Sequence, residues 1–195
     1  MIDVDKIFVL DDFLPSWLQD SLDQRLKDYK GWKISNVLSP FIVNGEQGQE
    51  CFCTKVLYEA NREPWDDAGG ITTLLNEYCT REGIFKALPD AQIKALLRVR
   101  LNGTFKLLPV YPHEDANPDD KDIWTIIYYV NDSDGGTNFY HDKGDTLAKT
   151  VSYKKGRAVM FPAPYYHNAE TPVDHSTRIT AALMYAIESS KNLGV

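Results

Sequence analysis

The chain has 195 residues, enough for one domain with a real core, and its composition is that of an ordinary globular protein with 12% aromatic residues. The net charge is -7 with no Lys/Arg-rich run, which disfavours direct binding of nucleic acid through its phosphates. Cys51, Cys53 and Cys79 form no disulfide framework, no basic-then-apolar leader opens the chain, and no apolar run is bilayer-length, so a cytoplasmic protein with no membrane partner is expected.

Ile7-Phe8-Val9-Leu10 reads as a short buried strand. Ser16 is the expected N-cap of a helix over Trp17 to Tyr29, in which Trp17, Leu18, Leu22, Leu26 and Tyr29 recur at helical spacing. Ile34 to Val43 reads as strand and loop, Cys51 to Tyr58 as another, unevenly alternating strand, and Pro64 to Gly70 as a break. Ile71 to Ile84 reads as a second helix carrying Leu74, Leu75, Tyr78 and Cys79. No chemistry is visible on these helices.

From Ala91 onward, short strands follow one another with turn signals between them. Ile93 to Leu101 is followed by Asn102-Gly103, a hairpin signal, and Phe105 to His113 is expected to return as a strand. Trp124 to Asn131 is apolar on both faces, the pattern of a central buried strand. Asp134-Gly135-Gly136 turns the chain into Thr137 to Tyr140. Thr150 to Tyr153, Arg157 to Pro162, Tyr165 to Ala169 and Arg178 to Ile187 complete the series. No helical crossover separates these strands, which argues against a parallel α/β sheet. The expectation is a mainly β (α+β) single domain over 1–195. A jelly-roll core, or double-stranded β-helix, occupies 91–187 and a scaffold of helices and strands occupies 1–90.

The chemistry centres on Tyr111-Pro112-His113-Glu114-Asp115. Residues two apart on a strand share a face, so His113 and Asp115 project together, as two ligands of a 2-His-1-carboxylate iron site must. A third ligand can come from a distant strand. Of the remaining histidines, His141 and His175 lie in polar turns, whereas His167 follows the apolar run Ala158 to Phe161. Arg178 opens the last strand, where its charge needs a partner; a bound carboxylate is a natural one. Arg98 and Arg100 read as solvated strand charges and Asn138 as a turn-side residue. The acidic loop 115–122 lacks the Gly and terminal Glu of an EF-hand, and Cys51-x-Cys53 lacks the second pair a zinc site needs.

Pro-His-x-Asp at 112–115, Ile-Tyr-Tyr-Val-Asn at 127–131, Gly-Gly-x-x-Phe at 135–139, Gly-Arg-Ala-Val-Met-Phe-Pro at 156–162, His167, and Arg178 with Thr180 follow in an order and spacing that is specific as a set. Over Arg98 to Tyr185 the sequence resembles the iron(II)- and 2-oxoglutarate-dependent dioxygenases, in their prolyl 4-hydroxylase-like branch. The resemblance implies Fe(II) on His113, Asp115 and His167, with 2-oxoglutarate and O2 as cosubstrates. It implies that Arg178 holds the distal carboxylate of 2-oxoglutarate, with Tyr129 hydrogen-bonding the same group and Thr180 assisting from the same strand face. Succinate and CO2 would be the coproducts, and the ligand carboxylate Asp115 favours hydroxylation of a prolyl or other peptide, or of a small molecule. Related enzymes often carry a tyrosine three residues before the first ligand; this chain has Val110 there and Tyr111 next, so Tyr111 is assigned no contact. Substrate recognition is expected in the loops Asp115 to Asp122 and His141 to Lys149. A cupin-type metal enzyme without redox chemistry, and a non-catalytic jelly-roll binding module, are the alternatives; only a keto-acid cosubstrate requires the carboxylate clamp of Arg178 and Tyr129.

Overall fold

The computed structural model describes residues 1–43, 46–60, 70–106, 110–142 and 146–189. An interior strand of its large sheet is β5 (Ile123–Tyr129), whose residues are buried along almost their whole length. On one side β5 pairs with β8 (Ala158–Pro162), and on the other with the long final strand β10 (Thr177–Ser189). β1 (Phe8–Leu10) lies outside β8. Beyond β10 come β4 (Ala91–Phe105), β3 (Glu46–Glu59) and β2 (Lys33–Val43), giving a seven-stranded sheet in the order β1-β8-β5-β10-β4-β3-β2. A smaller sheet holds β7 (Leu147–Val151), β6 (Thr137–Tyr140) and β9 (His167–Ala169), in that order. Every pairing is antiparallel. This is the expected jelly roll, two antiparallel sheets built from strands distant in sequence.

The large sheet buries both faces, which accounts for the apolar run of β5. Ile126, Tyr128, Leu183, Tyr185, Val99 and Leu101 pack with Leu18, Leu22, Leu26, Leu75 and Cys79 of the helices. Ile127, Tyr129, Val159, Phe161 and Ala182 point the other way, against Phe139 and Val151 of the small sheet. Alternation along each strand follows from the two-residue period of the pleat. Each fully buried Leu or Ile stabilises this arrangement by about 1.5–3 kcal/mol.

Helix α1 (Ser16–Lys27) begins one residue earlier than expected, with Pro15 at the N-cap and no side-chain cap. The fixed φ of proline suits that position, and Gln19 Nε2 donates to Leu14 O at 2.7 Å to tie the start down. Helix α2 (Ile71–Tyr78) continues through a π-helical stretch, Cys79–Ile84, into a last turn, Phe85–Ala87. Gly83 sits where an added Cβ would meet the Phe13 ring at 3.2 Å, so the widened turn lies close against the core. The expected break at Pro64 to Gly70 lies largely outside the described residues.

Two expectations fail for the same reason. Asn102-Gly103 makes no hairpin: β4 runs straight through it. Asn102 pairs with Thr180 on one side and Thr54 on the other, and Gly103 pairs with Ile179 and Cys53. A dipeptide with strands on both sides follows their ladders rather than its own turn preference. The strand expected over Phe105 to His113 is also absent among the described residues: 107–109 lie outside them, 110–112 are irregular, and His113 forms only an isolated bridge with His167. The strands β1, β2 and β3 of the N-terminal stretch belong to the large sheet itself.

Candidate active site

The pocket-facing residues of β4 and β10 are polar. Along β4 these are Arg98, Arg100, Asn102 and Thr104; along β10 they are Arg178 and Thr180, followed by the small Ala182. Their neighbours Val99, Leu101, Ile179, Ala181 and Leu183 face the helices. The apolar surroundings of Arg178 in the sequence therefore belong to the opposite face. The polar face floors a cavity of about 250 Å³, which His113, Asp115, His167 and Thr137 also line.

His113 and His167 are joined by a reciprocal backbone pair, each N–H donating to the other's carbonyl at 2.9 Å. Their rings stand 4.7 Å apart, centroid to centroid. The Asp115 N–H donates to Ala163 O at 3.0 Å, which anchors the segment a second time, to the chain just past β8. Asp115 thus comes to the same place without lying in a strand. In both histidines Nδ1 faces the carbonyl two residues back, Tyr111 O at 3.2 Å and Tyr165 O at 2.8 Å. If Nδ1 carries the proton, each Nε2 keeps a free lone pair, the orientation by backbone carbonyl that metal-binding histidines use. His167 Nε2 lies 3.8 Å from Asp115 Oδ2.

Burial and then the neighbouring His113 push the His167 imidazole down to about 4, with Asp115 only partly offsetting them. His167 is therefore neutral at neutral pH and its approach to Asp115 is not an ion pair. Burial pushes the Asp115 carboxyl up, but His167, Arg98 and His113, with a hydrogen bond from Thr125, hold it below the usual carboxylate range. Since His167 is uncharged near pH 7, Arg98 is the cation that counts there. Arg98 Nη2 donates to Asp115 Oδ1 at 2.8 Å, and Thr125 Oγ1 donates to Oδ2 at 2.9 Å. Among the described residues no three His, Cys, Asp or Glu side chains are drawn up into a finished metal site. The carboxylate leans toward Arg98 and Thr125, and two ligands of one first-row ion stand closer together than 3.8 Å, at roughly 3 Å. Two imidazoles and one carboxylate are nonetheless the N/O donor types that suit Fe(II).

Arg178 is 3% exposed. Its Nε donates to Gly135 O at 2.8 Å and its Nη2 to Thr137 Oγ1 at 3.0 Å. The guanidinium lies 5.4 Å from the ring centre of Tyr129 and 5.5 Å from that of Tyr153, two rings stacked 4.3 Å apart. These contacts orient the cation and leave its charge unneutralised. Tyr129 OH and Thr137 Oγ1 are 2.7 Å apart, so Thr137 joins the Tyr129 hydroxyl to Arg178 in addition to the direct ring contact. Gly135 and Gly136 have a clear purpose here. A side chain at Gly135 would press into the Glu170 carbonyl, and one at Gly136 would lie 2.7 Å from Val151 O.

Five of the six expected residues, His113, Asp115, His167, Arg178 and Thr180, line one cavity; Tyr129 does not line it and packs against Arg178. His141 and His175 lie elsewhere: the His141 N–H bonds Thr146 O, and His175 Nδ1 faces Asp134 Oδ1 at 3.1 Å. Val110 lines the cavity where relatives carry a tyrosine, and Tyr111 does not. Arg98 and Arg100 are pocket residues rather than solvated charges. Asn138 lies within β6 and donates to Glu170 Oε1 at 3.1 Å, away from the cavity. Thr137 and Tyr153 had not stood out in the sequence. The position of Thr137, directly after Gly-Gly, was their best available signal. In the second expected recognition loop, residues 143–145 lie outside the described residues.

The family model for the 2OG-Fe(II) oxygenase superfamily matches residues 106–186, which contain all six residues. Over those residues, under half of the chain, the sequence is similar to that superfamily. No curated protein sequence matches it significantly. Among solved structures the chain is similar to a prolyl hydroxylase from Trichoplax adhaerens in complex with a hypoxia inducible factor peptide fragment. That likeness has a TM-score of 0.61 and 16% identity, over 93% of this chain and 84% of the other. A Pseudomonas putida prolyl-4-hydroxylase matches with a TM-score of 0.58 and 14% identity, over 93% and 92%. HygX from Streptomyces hygroscopicus, solved with nickel and 2-oxoglutarate bound, matches with a TM-score of 0.59 and 11% identity, over 93% and 82%. At these identities the likeness is one of fold. Members of the matching superfamily work with Fe(II), 2-oxoglutarate and O2. No helix among the described residues is long and apolar enough to cross a membrane.

Proposed function

We propose that this protein is an Fe(II)- and 2-oxoglutarate-dependent oxygenase that hydroxylates an unactivated C–H bond of a peptide or small molecule, using His113, Asp115 and His167 as its iron ligands and Arg178 as its 2-oxoglutarate clamp. The observation that carries this reading is the buried, uncompensated charge of Arg178 in the same cavity as the His113, Asp115 and His167 donor set. A cation held by one carbonyl, one hydroxyl and two ring faces keeps its affinity for a carboxylate.

Bound Fe(II) would supply the O2 activation that couples decarboxylation of 2-oxoglutarate, to succinate and CO2, with oxidation of the substrate. The chain's own residues do the rest. Thr137 fixes the plane of the Arg178 fork, and the stacked Tyr129 and Tyr153 keep water from its flanks. Thr180, buried on the same strand face, adds a hydroxyl to that wall. Phe161 and Phe139 pack beside His167, with ring centres 4.7 and 6.0 Å away, and fix its ring orientation. Arg98 and Thr125 orient Asp115 and keep it ionised. The Trichoplax enzyme's peptide complex makes a prolyl peptide one candidate substrate class.

The test is Fe(II)-dependent conversion of 2-oxoglutarate to succinate in air, followed with and without a panel of prolyl peptides and small metabolites. Succinate release that needs Fe(II), and that disappears in His113→Ala and His167→Ala proteins of unchanged fold, is the expected result. No Fe(II)-dependent succinate with any candidate would sink the proposal.

A further inference from the structure

Three guanidinium groups line the cavity, and two of them are engaged. Arg178 spends Nε and Nη2 on Gly135 and Thr137. Arg98 spends Nη2 on Asp115. Arg100 stands beside Arg98 on the same face of β4, its Nε is buried without a hydrogen-bond partner, and the Nε of Arg98 is in the same condition. Among the described residues no hydrogen bond is made to the Arg100 guanidinium. A half-buried cation with an unanswered donor costs free energy unless a ligand supplies the acceptor.

Register locates the group. Arg100 lies opposite Ala182, and Thr104 lies opposite Arg178. Arg100 is thus four residues along the sheet from the Arg178 clamp, about 13 Å at strand rise, and next to the Arg98 that grips Asp115. Of its two ladder partners, Val56 on β3 and Ala182 on β10, the one on the β10 side is small and leaves room above it. The charge balance points the same way. Arg98, Arg100 and Arg178 outnumber Asp115 among the charged residues lining the cavity, in a protein whose net charge is -7. A divalent ion and a dianionic keto acid cancel each other, so loading both leaves the positive surplus in place. Glu59 and Asp115 act on Arg100 through space, while burial and the like charge of Arg98 work against it.

We infer that Arg100, with Arg98 beside it, is the subsite for a carboxylate of the oxidised substrate, so that the oxygenase acts on an acidic molecule. This rests on the reading of Arg178 as the keto-acid clamp. The carboxylate could be the α-carboxylate of a free amino acid or the side-chain carboxylate of an acidic residue; both offer the two oxygens a guanidinium fork grips.

The experiment uses the full chain loaded anaerobically with Mn(II) and 2-oxoglutarate and titrated calorimetrically. The probes are N-acetyl amino acids with a free α-carboxylate, their primary amides, and the α-amide of N-acetylglutamic acid, whose only carboxylate is on the side chain. At least one acid should bind tenfold or more tighter than its amide, the scale of one hydrogen bond to a charged group. Preference for the N-acetyl acids assigns the α-carboxylate; preference for the glutamic α-amide over glutamine's assigns the side chain. Arg100→Gln should erase the discrimination and Arg100→Lys should keep part of it. Acids and amides that bind alike in the wild type, including no binding of either, overturn the inference, as does discrimination that survives Arg100→Gln. A loss of 2-oxoglutarate affinity in Arg100→Gln as large as in Arg178→Ala also overturns it, by assigning Arg100 to the keto acid. A wild-type Mn(II) protein that fails to bind 2-oxoglutarate sinks the underlying reading instead.

Discussion

His113 and His167 exchange both of their backbone hydrogen bonds with each other at 2.9 Å, and this one antiparallel bridge sets their rings 4.7 Å apart. The two imidazoles are consequently positioned by main chain before any ligand arrives. They differ in setting: His167 is 4% exposed, whereas His113 is open to solvent at the cavity mouth. Either ring can then be removed without breaking the bridge. His113→Ala and His167→Ala should each lower Mn(II) affinity by at least tenfold while the thermal midpoint falls more for His167, the buried one. His141→Ala should bind Mn(II) as the wild type does. Calorimetric titration checks this, and loss of Mn(II) binding on changing His141 would mean the ligand set is misassigned.

Arg178→Ala removes the cation that is answered only by neutral groups. Hydrogen bonds to a charged group are worth roughly 1.5–3 kcal/mol each, and about 1.4 kcal/mol is one decade of affinity. Binding of 2-oxoglutarate should weaken at least tenfold and Mn(II) affinity should change little. Arg178→Lys should recover part of the loss, keeping the charge without the fork. Anaerobic titration with 2-oxoglutarate in the presence of Mn(II) measures it. Unchanged affinity in a folded Arg178→Ala protein would favour the reading as a metal enzyme without a keto acid.

Gly135 lies on the path between the loop and the clamp. Its carbonyl accepts from Arg178 Nε, and its α-carbon is packed against the Glu170 carbonyl. Gly135→Ala must displace one backbone or the other, at a cost of about 1–3 kcal/mol in stability, the usual result of overpacking. The 2-oxoglutarate affinity should fall several-fold with it, because the acceptor that aims Arg178 moves. Denaturant unfolding and keto-acid titration on one sample would show the two effects together. A stability loss with keto-acid affinity intact would show that Gly135 O does not aim the clamp.

Asp134 binds the turn before β10. Its carboxylate accepts the N–H groups of Val173, Asp174 and His175, at 2.9, 2.8 and 3.2 Å. The Asp174 N–H does most to hold the carboxyl far below its ordinary range; some desolvation opposes it, and the Val173 N–H and both His175 groups add to it. A folded pKa below the unfolded value means that the ionised form favours the folded turn. This stabilisation is complete above the unfolded value of about 4 and is lost as the pH falls through the folded value beneath it. Amide protection at Val173 and His175, measured by hydrogen exchange, should hold from pH 7 to pH 5 and drop below pH 4. Asp134→Asn should make protection at these amides independent of pH over that range; a drop that persists in the variant would point to another group.

Where a segment's structure follows from its own period, it was legible in advance. The uninterrupted apolar run of β5 required burial on both faces, and the sheet buries it between β8 and β10. Helix α1 was legible from its 3.6-residue stripe, except at its first residue, where proline rather than serine makes the cap. The convergence of His113, Asp115 and His167 on one cavity was legible because they stand in short motifs whose order is itself informative. Asn102-Gly103 shows the limit. Its turn preference is local and weak, and hydrogen-bonding partners on both sides outweighed it.

Pattern and motif order were enough for the class of fold, the pairing of His113 with Asp115, and the candidacy of His167 and Arg178. Strand pairing was needed to see that Arg98 grips Asp115, that Thr137 joins the Tyr129 hydroxyl to Arg178, and that Arg98 and Arg100 face the cavity at all. The physical reason is that a strand's two-residue period tells which residues share a face but not which face meets solvent. That is set by register with neighbouring strands, here Ala182 opposite Arg100 and Thr104 opposite Arg178. Charges on a strand with one apolar face read as solvated when nothing shows that a second sheet covers them, and the second sheet here is assembled from segments that lie far downstream.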